Sequence, residues 1–143
     1  MDPLLLRVAL VALVVLLTTL AGQVWQRRDG RIAVSDRPSG RDHRVGLGLA
    51  TDHDGPQAVL FGSATCAPCD TVKGMLREVE STHAGFRWHY VDAADRLDLA
   101  DEHGVRRVPT LLVLDDRGEI VARSSGVPQP QELAAAVTAR ATA

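Results

Sequence analysis

Cys66 and Cys69 are the only cysteines of this chain, and Ala67 and Pro68 lie between them. Two intervening residues let both sulfurs meet within one turn, so a disulfide can close and reopen locally. That is the geometry of dithiol–disulfide exchange. Ala58-Val59-Leu60-Phe61-Gly62-Ser63 precedes the pair and reads as a buried strand. Asp70 to Glu80 follows it, with apolar residues at 72, 75, 76 and 79, the spacing of one helix face. The pair therefore sits where a strand hands over to a helix. A thiol there meets unpaired backbone N–H groups and the positive end of the helix dipole, and both favour the thiolate. Two cysteines cannot make a disulfide framework. An inert structural disulfide or a pair of buried thiols is the plainer alternative.

The elements that must position this pair follow in order. Phe86 to Asp92 alternates like a strand. Leu97 to His103 suits a short helix closed by Gly104. Leu111-Leu112-Val113-Leu114 reads as a buried strand, Asp115-Asp116-Arg117-Gly118 as a turn, and Glu119 to Ser124 as the hairpin partner. Pro130 opens a last helix with Leu133, Ala136 and Val137 on one face. Strand, helix, strand, helix, strand, strand, helix is an α/β arrangement with helices on both sheet faces. The cysteines fall at the C-terminal end of its first strong strand, where open α/β sheets place their sites. Upstream, Arg31 to Ser35 is a candidate short strand. Asp36 to Gly55, rich in Gly, Arg and Asp with Pro38, reads as loose loop.

The chain opens with a second strong signal. Leu4 to Trp25 is nearly all Leu, Val and Ala, interrupted by Arg7 near its outer end. At 1.5 Å per residue it spans roughly 33 Å, enough for the hydrocarbon core of a bilayer. Trp25 stands where an interfacial aromatic belongs, and Gln26-Arg27-Arg28 follows as a charged stop. A cleaved signal peptide, with Thr19-Leu20-Ala21 at the cut, is the competing reading. The absence of Lys or Arg ahead of Leu4 argues against it. The expected organisation is an anchor over 1–25, an Arg/Gly-rich juxtamembrane linker over 26–55, and a folded domain over 56–143. Arg27, Arg28, Arg31, Arg37, Arg41 and Arg44 flank the C-terminal end of the apolar run. By the positive-inside rule they place the domain on the cytoplasmic side; an extracytoplasmic domain is the alternative.

Charge narrows the partners. Of 143 residues with a net charge of −2, residues 26–45 hold six Arg against three Asp, and residues 46–143 hold nine Lys/Arg against fourteen Asp/Glu. An acidic body without a basic stripe argues against nucleic acid.

The strand–Cys66-Ala67-Pro68-Cys69–helix unit, Val91-Asp92 at the end of the next strand, Val108-Pro109-Thr110 ahead of the apolar strand at 111–114, and Gly126 after the hairpin together resemble the thioredoxin family. The resemblance covers roughly residues 56–140. It implies a thioredoxin-like fold, a central mixed sheet flanked by helices, here preceded by one N-terminal transmembrane helix. It further implies a cis Val108–Pro109 bond facing the cysteines, with neighbouring backbone that pairs with an extended substrate segment. Thr65 and Val108 would join Pro109 in aligning substrate. By the same resemblance Cys66 is the nucleophile, and Cys69 the more buried resolving thiol that releases reduced substrate. Pro68 in the first helical turn costs little. The implied partners are a protein disulfide or dithiol substrate, a second protein that donates or accepts electrons, and a lipid bilayer around residues 4–25. No cofactor is implied beyond the redox-active Cys66–Cys69 disulfide.

Departures from the family pattern narrow the reading. Thr65 replaces the usual Trp before the first cysteine, and Ala67 the usual Gly after it. Leu60 stands in place of a buried Asp that helps move the proton off the resolving thiol. Trp88 replaces the strand charge that commonly accompanies that Asp, with Arg87 and His89 beside it. Cys69 is then left to water or a nearby polar group, which fits a specialised exchange protein better than a general reductant. A non-catalytic redox-sensing or binding module, and an extracytoplasmic reductase of secreted or haem-binding apoproteins, are the competing functions.

Cys66-x₂-Cys69-x₁₃-His83-x₅-His89 also matches a zinc-finger spacing. Its context does not: a finger carries its cysteines on a hairpin and both histidines on one helix, so no metal site is expected. His43, His53 and His103 read as solvated surface residues. The acidic run Asp92, Asp95, Asp98, Asp101 and Glu102 reads as helix-start charge. Phe61, Met75 and Trp88 read as core.

Overall fold

The computed structural model describes residues 3–28, 31–35 and 40–139. Residues 1–2, 29–30, 36–39 (with Arg37 and Pro38, read above as loose loop) and 140–143 lie outside the described residues. So does the side chain of Trp25, whose interfacial role was expected above. Helix α1 (Pro3–Arg28) holds an apolar window at Leu6–Val24 with a mean hydropathy of 2.0, none of it buried against the rest of the chain. Its two threonine hydroxyls are satisfied internally. The Thr18 and Thr19 hydroxyls donate to the carbonyls of Val14, Val15 and Leu16 at 2.9–3.0 Å. This is how a helix in an apolar medium accommodates a hydroxyl.

The remaining elements are β1 (Ala33–Val34), α2 (Arg44–Leu47), β2 (Gln57–Gly62), α3 (Ala67–Thr82), β3 (Arg87–Asp92), α4 (Leu97–Glu102), β4 (Thr110–Leu114), β5 (Ile120–Ser125) and α5 (Pro130–Thr138). The five strands form one sheet in the order β1-β5-β4-β2-β3. β2 and β3 run parallel, and the other pairs antiparallel. The mixed sheet and the strand–helix order from β2 onward match the sequence reading.

Alternation along the central strands builds two cores. Ala58 and Leu60 of β2 with Leu111 and Val113 of β4 pack on one face against Val72, Leu76 and Val79 of α3 and Leu133 and Val137 of α5. Val59, Phe61, Leu112 and Leu114 pack on the other against Leu99 of α4 and Leu47 and Leu49. Both faces of β2 and β4 are covered, so past Gln57 and Thr110 at their first positions the side chains are apolar without polar interruption.

The second core corrects two expectations. The stretch read as linker over 26–55 contributes Leu47 and Leu49, 4% and 6% exposed, and its strand β1 pairs with β5. The packed body therefore begins upstream of residue 56. The His43 N–H donates to Gly118 O at 2.8 Å, and Arg44 Nη1 to Asp116 O at 3.2 Å, which fixes this segment to the β4–β5 turn. Arg44 also grips Asp42 and holds its carboxyl below the usual carboxylate range, chiefly by side-chain hydrogen bonding.

The segment also covers histidines that the sequence reading left in solvent. His43 and His103 are half-buried, their rings edge-on with centroids 5.5 Å apart, and Phe61 lies 6.4 Å from His103. His53 is tied through Nε2 to Gly85 O at 2.6 Å.

Candidate active site

α3 starts where β2 ends, and Cys66 occupies its N-cap with extended backbone, φ −88° and ψ 91°. The Cys66 N–H donates to Ser63 O at 3.2 Å, and the Cys69 N–H donates to Cys66 O at 3.0 Å. Cys66 and Cys69 are joined in a disulfide with an S–S distance of 2.05 Å. Cys69 is fully buried, whereas Cys66 is only half-buried, and Thr65, Ala67 and Pro68 are exposed around it. One sulfur thus meets solvent at a helix N-terminus while the other is walled in. Such an arrangement leaves the Cys66 sulfur open to an incoming thiolate and shields the Cys69 sulfur from one.

The Val108–Pro109 bond is cis. Pro109 is buried and Val108 half-buried. Register places Pro109 beside the cysteines: Phe61 pairs with Thr110, so Gly62 and Pro109 lie one step further along at the same sheet end. The turn carrying Pro109 is held on three sides. Thr110 Oγ1 donates to Arg107 O at 2.8 Å, Arg107 Nη2 to Ser125 O at 3.1 Å, and the Gly126 N–H to Pro109 O at 2.8 Å. Gly126 therefore has a role in this arrangement.

Beneath the sulfurs the expected departures have structural content. Leu60 is fully buried among aliphatic side chains. Trp88 turns its indole to the helix, Nε1 donating to Glu80 Oε2 at 3.2 Å. The sequence reading did not single out Gly62, Tyr90 or Lys73. A Cβ added to Gly62 would stand 2.6 Å from Tyr90 Cε2 and 3.1 Å from both Tyr90 OH and Cys69 Sγ. Gly62 is thus a position where only hydrogen lets Tyr90 approach the sulfur. Lys73, one helical turn beyond Cys69 on the same face, sets its Nζ 4.4 Å from the Tyr90 ring centre and 3.1 Å from Asp70 Oδ1. The available signals were a glycine inside an apolar strand, the chain's single tyrosine and an i+4 lysine.

His83 and His89 do not complete a metal centre with the cysteines. His83 Nε2 lies 2.9 Å from Thr138 Oγ1 on α5, and His89 is exposed on β3. Among the described residues no cluster of three or more His, Cys, Asp or Glu has the arrangement to hold a metal ion.

A half-exposed disulfide on a helix start, beside a cis-proline at the end of a mixed sheet, defines the class of thiol–disulfide oxidoreductases. Residues 46–141 match the family model described as a thioredoxin-like domain, and the chain belongs to the thioredoxin family. It is 34% identical to thioredoxin C-2 of Corynebacterium nephridii over 85 residues, 59% of this chain and 78% of that protein. Among solved structures, a mutant thioredoxin from Halobacterium salinarum superposes with a TM-score of 0.56 at 21% identity, covering 64% of this chain and 78% of that one. Mitochondrial thioredoxin 3 from Saccharomyces cerevisiae gives 0.55 at 20% identity, covering 62% and 82%. These two likenesses carry the fold.

Proposed function

We propose that the protein is a membrane-tethered thiol–disulfide oxidoreductase that exchanges disulfides with a partner protein through Cys66-Ala67-Pro68-Cys69. The observation that carries this reading is the asymmetric pair, Cys66 half-buried at the α3 N-terminus and Cys69 fully buried behind it. In the reducing direction the Cys66 thiolate attacks a substrate disulfide and one substrate sulfur leaves as a thiolate. The Cys69 thiolate then attacks Cys66 Sγ. The mixed disulfide breaks, the second substrate sulfur departs, and the Cys66–Cys69 bond re-forms. A protein dithiol restores the pair. Pro109, with Val108 and Thr65, aligns the substrate segment.

Tethering rests on α1, whose unburied apolar window has no core to occupy within its own chain. The arginines that follow it favour a domain on the cytoplasmic face. Two experiments test the reading. Cys66→Ser should abolish reduction of a model disulfide by the full-length protein, and an undiminished rate overturns the exchange assignment. Labelling of reduced Cys66 by a membrane-impermeant maleimide only after cells are opened supports the cytoplasmic orientation; labelling in intact cells reverses it.

A further inference from the structure

Buried thiols resist ionisation, because a thiolate loses its hydration in an apolar site. Cys69 is 0% exposed, and Leu60, also 0% exposed, offers it no charge or hydrogen bond. Yet the resolving step requires the Cys69 thiolate. The Tyr90 hydroxyl is a polar group that the fold brings close to this sulfur. Both atoms lie 3.1 Å from the point where a Gly62 Cβ would stand. They are therefore separated by at most twice that distance, a gap that a side-chain adjustment or one bridging water closes. The ring reaches this place from β3, the strand paired with β2, and carries Lys73 Nζ 4.4 Å from its centre. A cation against a phenol ring draws electron density from it and strengthens the O–H as a donor.

We propose that Tyr90, polarised by Lys73, is the hydrogen-bond donor that stabilises the Cys69 thiolate during resolution, in the position that Gly62 opens for it. The inference rests on the exchange reading above and assigns it a further participant. In the step itself, the Cys69 proton passes to solvent and the thiolate accepts the Tyr90 O–H. Its electron pair then forms the bond to Cys66 Sγ as the bond from Cys66 to the substrate sulfur breaks. The substrate leaves as a thiolate that solvent protonates. The Tyr90 hydroxyl keeps its own proton throughout, so it supplies stabilisation rather than a net proton transfer. The Lys73 ammonium, on the same helix face as Cys69, adds its charge in the same sense.

The test uses the reduced full-length protein in detergent micelles and an aromatic disulfide, dithiobis-nitrobenzoate, in stopped flow. The first thionitrobenzoate released reports attack by Cys66, and the second reports resolution by Cys69. Tyr90→Phe keeps the ring and its contact with Lys73 and removes only the hydroxyl. It should slow the second phase about tenfold at neutral pH, what one hydrogen bond to a charged group is worth, and move its pH midpoint up by about one unit. The first phase should stay within about twofold, since Cys66 ionises at the helix start. A second phase with unchanged rate and midpoint overturns the proposal. Should Tyr90→Phe fail to fold, Lys73→Met carries the test. A slower second phase with a raised midpoint, restored by Lys73→Arg, supports the pair, and an unchanged midpoint overturns it. Failure of the exchange reading looks different: the first phase itself is then missing from the unaltered protein, or survives in Cys66→Ser.

Discussion

Tyr90 on β3 occupies the space that a side chain at Gly62 on β2 would need, its Cε2 only 2.6 Å from where that Cβ would stand. The two strands run parallel with Leu60 opposite Tyr90 and Gly62 opposite Asp92, so the contact is a diagonal one across the pleat. Gly62 is itself buried, so an added methyl group must displace the ring to be accommodated.

Gly62→Ala should therefore destabilise the protein through overpacking, by about 1–3 kcal/mol. A urea midpoint lowered at constant slope is the expected reading, and a midpoint equal to the unaltered protein would show that the ring yields freely.

Stability should also fall with acid in a window set by His103. Its Nε2 is buried without a hydrogen-bond partner among the described residues. Desolvation pushes the imidazole below its ordinary value, with His43 and Arg123 acting in the same sense and Glu102 against them. A group with a lowered basic value binds its proton more readily unfolded than folded, so stability is intact above that ordinary value. It is lost as pH falls from about 6.5. Thermal melts between neutral and mildly acidic pH should show this slope, and His103→Phe should flatten it. Asp42, held low by Arg44, contributes only at still lower pH, and weakly because it is solvent-exposed.

Leu47→Ala and Leu49→Ala test whether the arginine- and glycine-rich segment belongs to the folded body. Each deletes a buried side chain from the core around Val59, Phe61, Leu112 and Leu114, and each should cost about 2–5 kcal/mol. Denaturant midpoints indistinguishable from the unaltered protein would return the segment to linker status.

Leu13→Arg combined with Leu16→Arg places two charges near the middle of the apolar window, each costing about 2.5–3.5 kcal/mol of insertion. The doubly altered protein should shift from the alkali-resistant membrane fraction to the supernatant, with its exchange rate on a small disulfide retained. Equal fractionation of both proteins would remove the case for a spanning helix.

How far the sequence carried this picture depends on what each signal needs. β2, β4 and α3 were legible because their burial is written into local periodicity, over enough residues to be read. The helix-start cysteines were legible for the same reason, and the Val108–Pro109 geometry through the family resemblance. α2 was not, since four residues show no period and Leu47 and Leu49 alternate with Gly46 and Gly48 in a stretch with no sustained pattern. β1 was legible as a candidate short strand over 31–35, and what the sequence left out was its pairing with β5. His103 looked solvated because nothing near it in sequence predicts the segment that folds over it. Tyr90 became visible as a neighbour of Cys69 only once the parallel register of β2 and β3 was known. A residue's chemistry is local, but its company is set by pairing across the fold.

Helix α1 closes at Arg28 and β1 opens at Ala33 on the sheet edge, so a very short connector joins the apolar helix to the body. Fully stretched, its four residues reach roughly 14 Å. With α1 embedded as proposed, the sulfurs would be confined to the solvent near the lipid. Encounter frequency is then set by how many targets share each patch of surface rather than by their bulk concentration. Proteins held in or against the same bilayer gain a large kinetic preference as substrates, and freely diffusing ones gain none. The selectivity of such a device comes from the shortness of its leash as much as from the shape of its cleft.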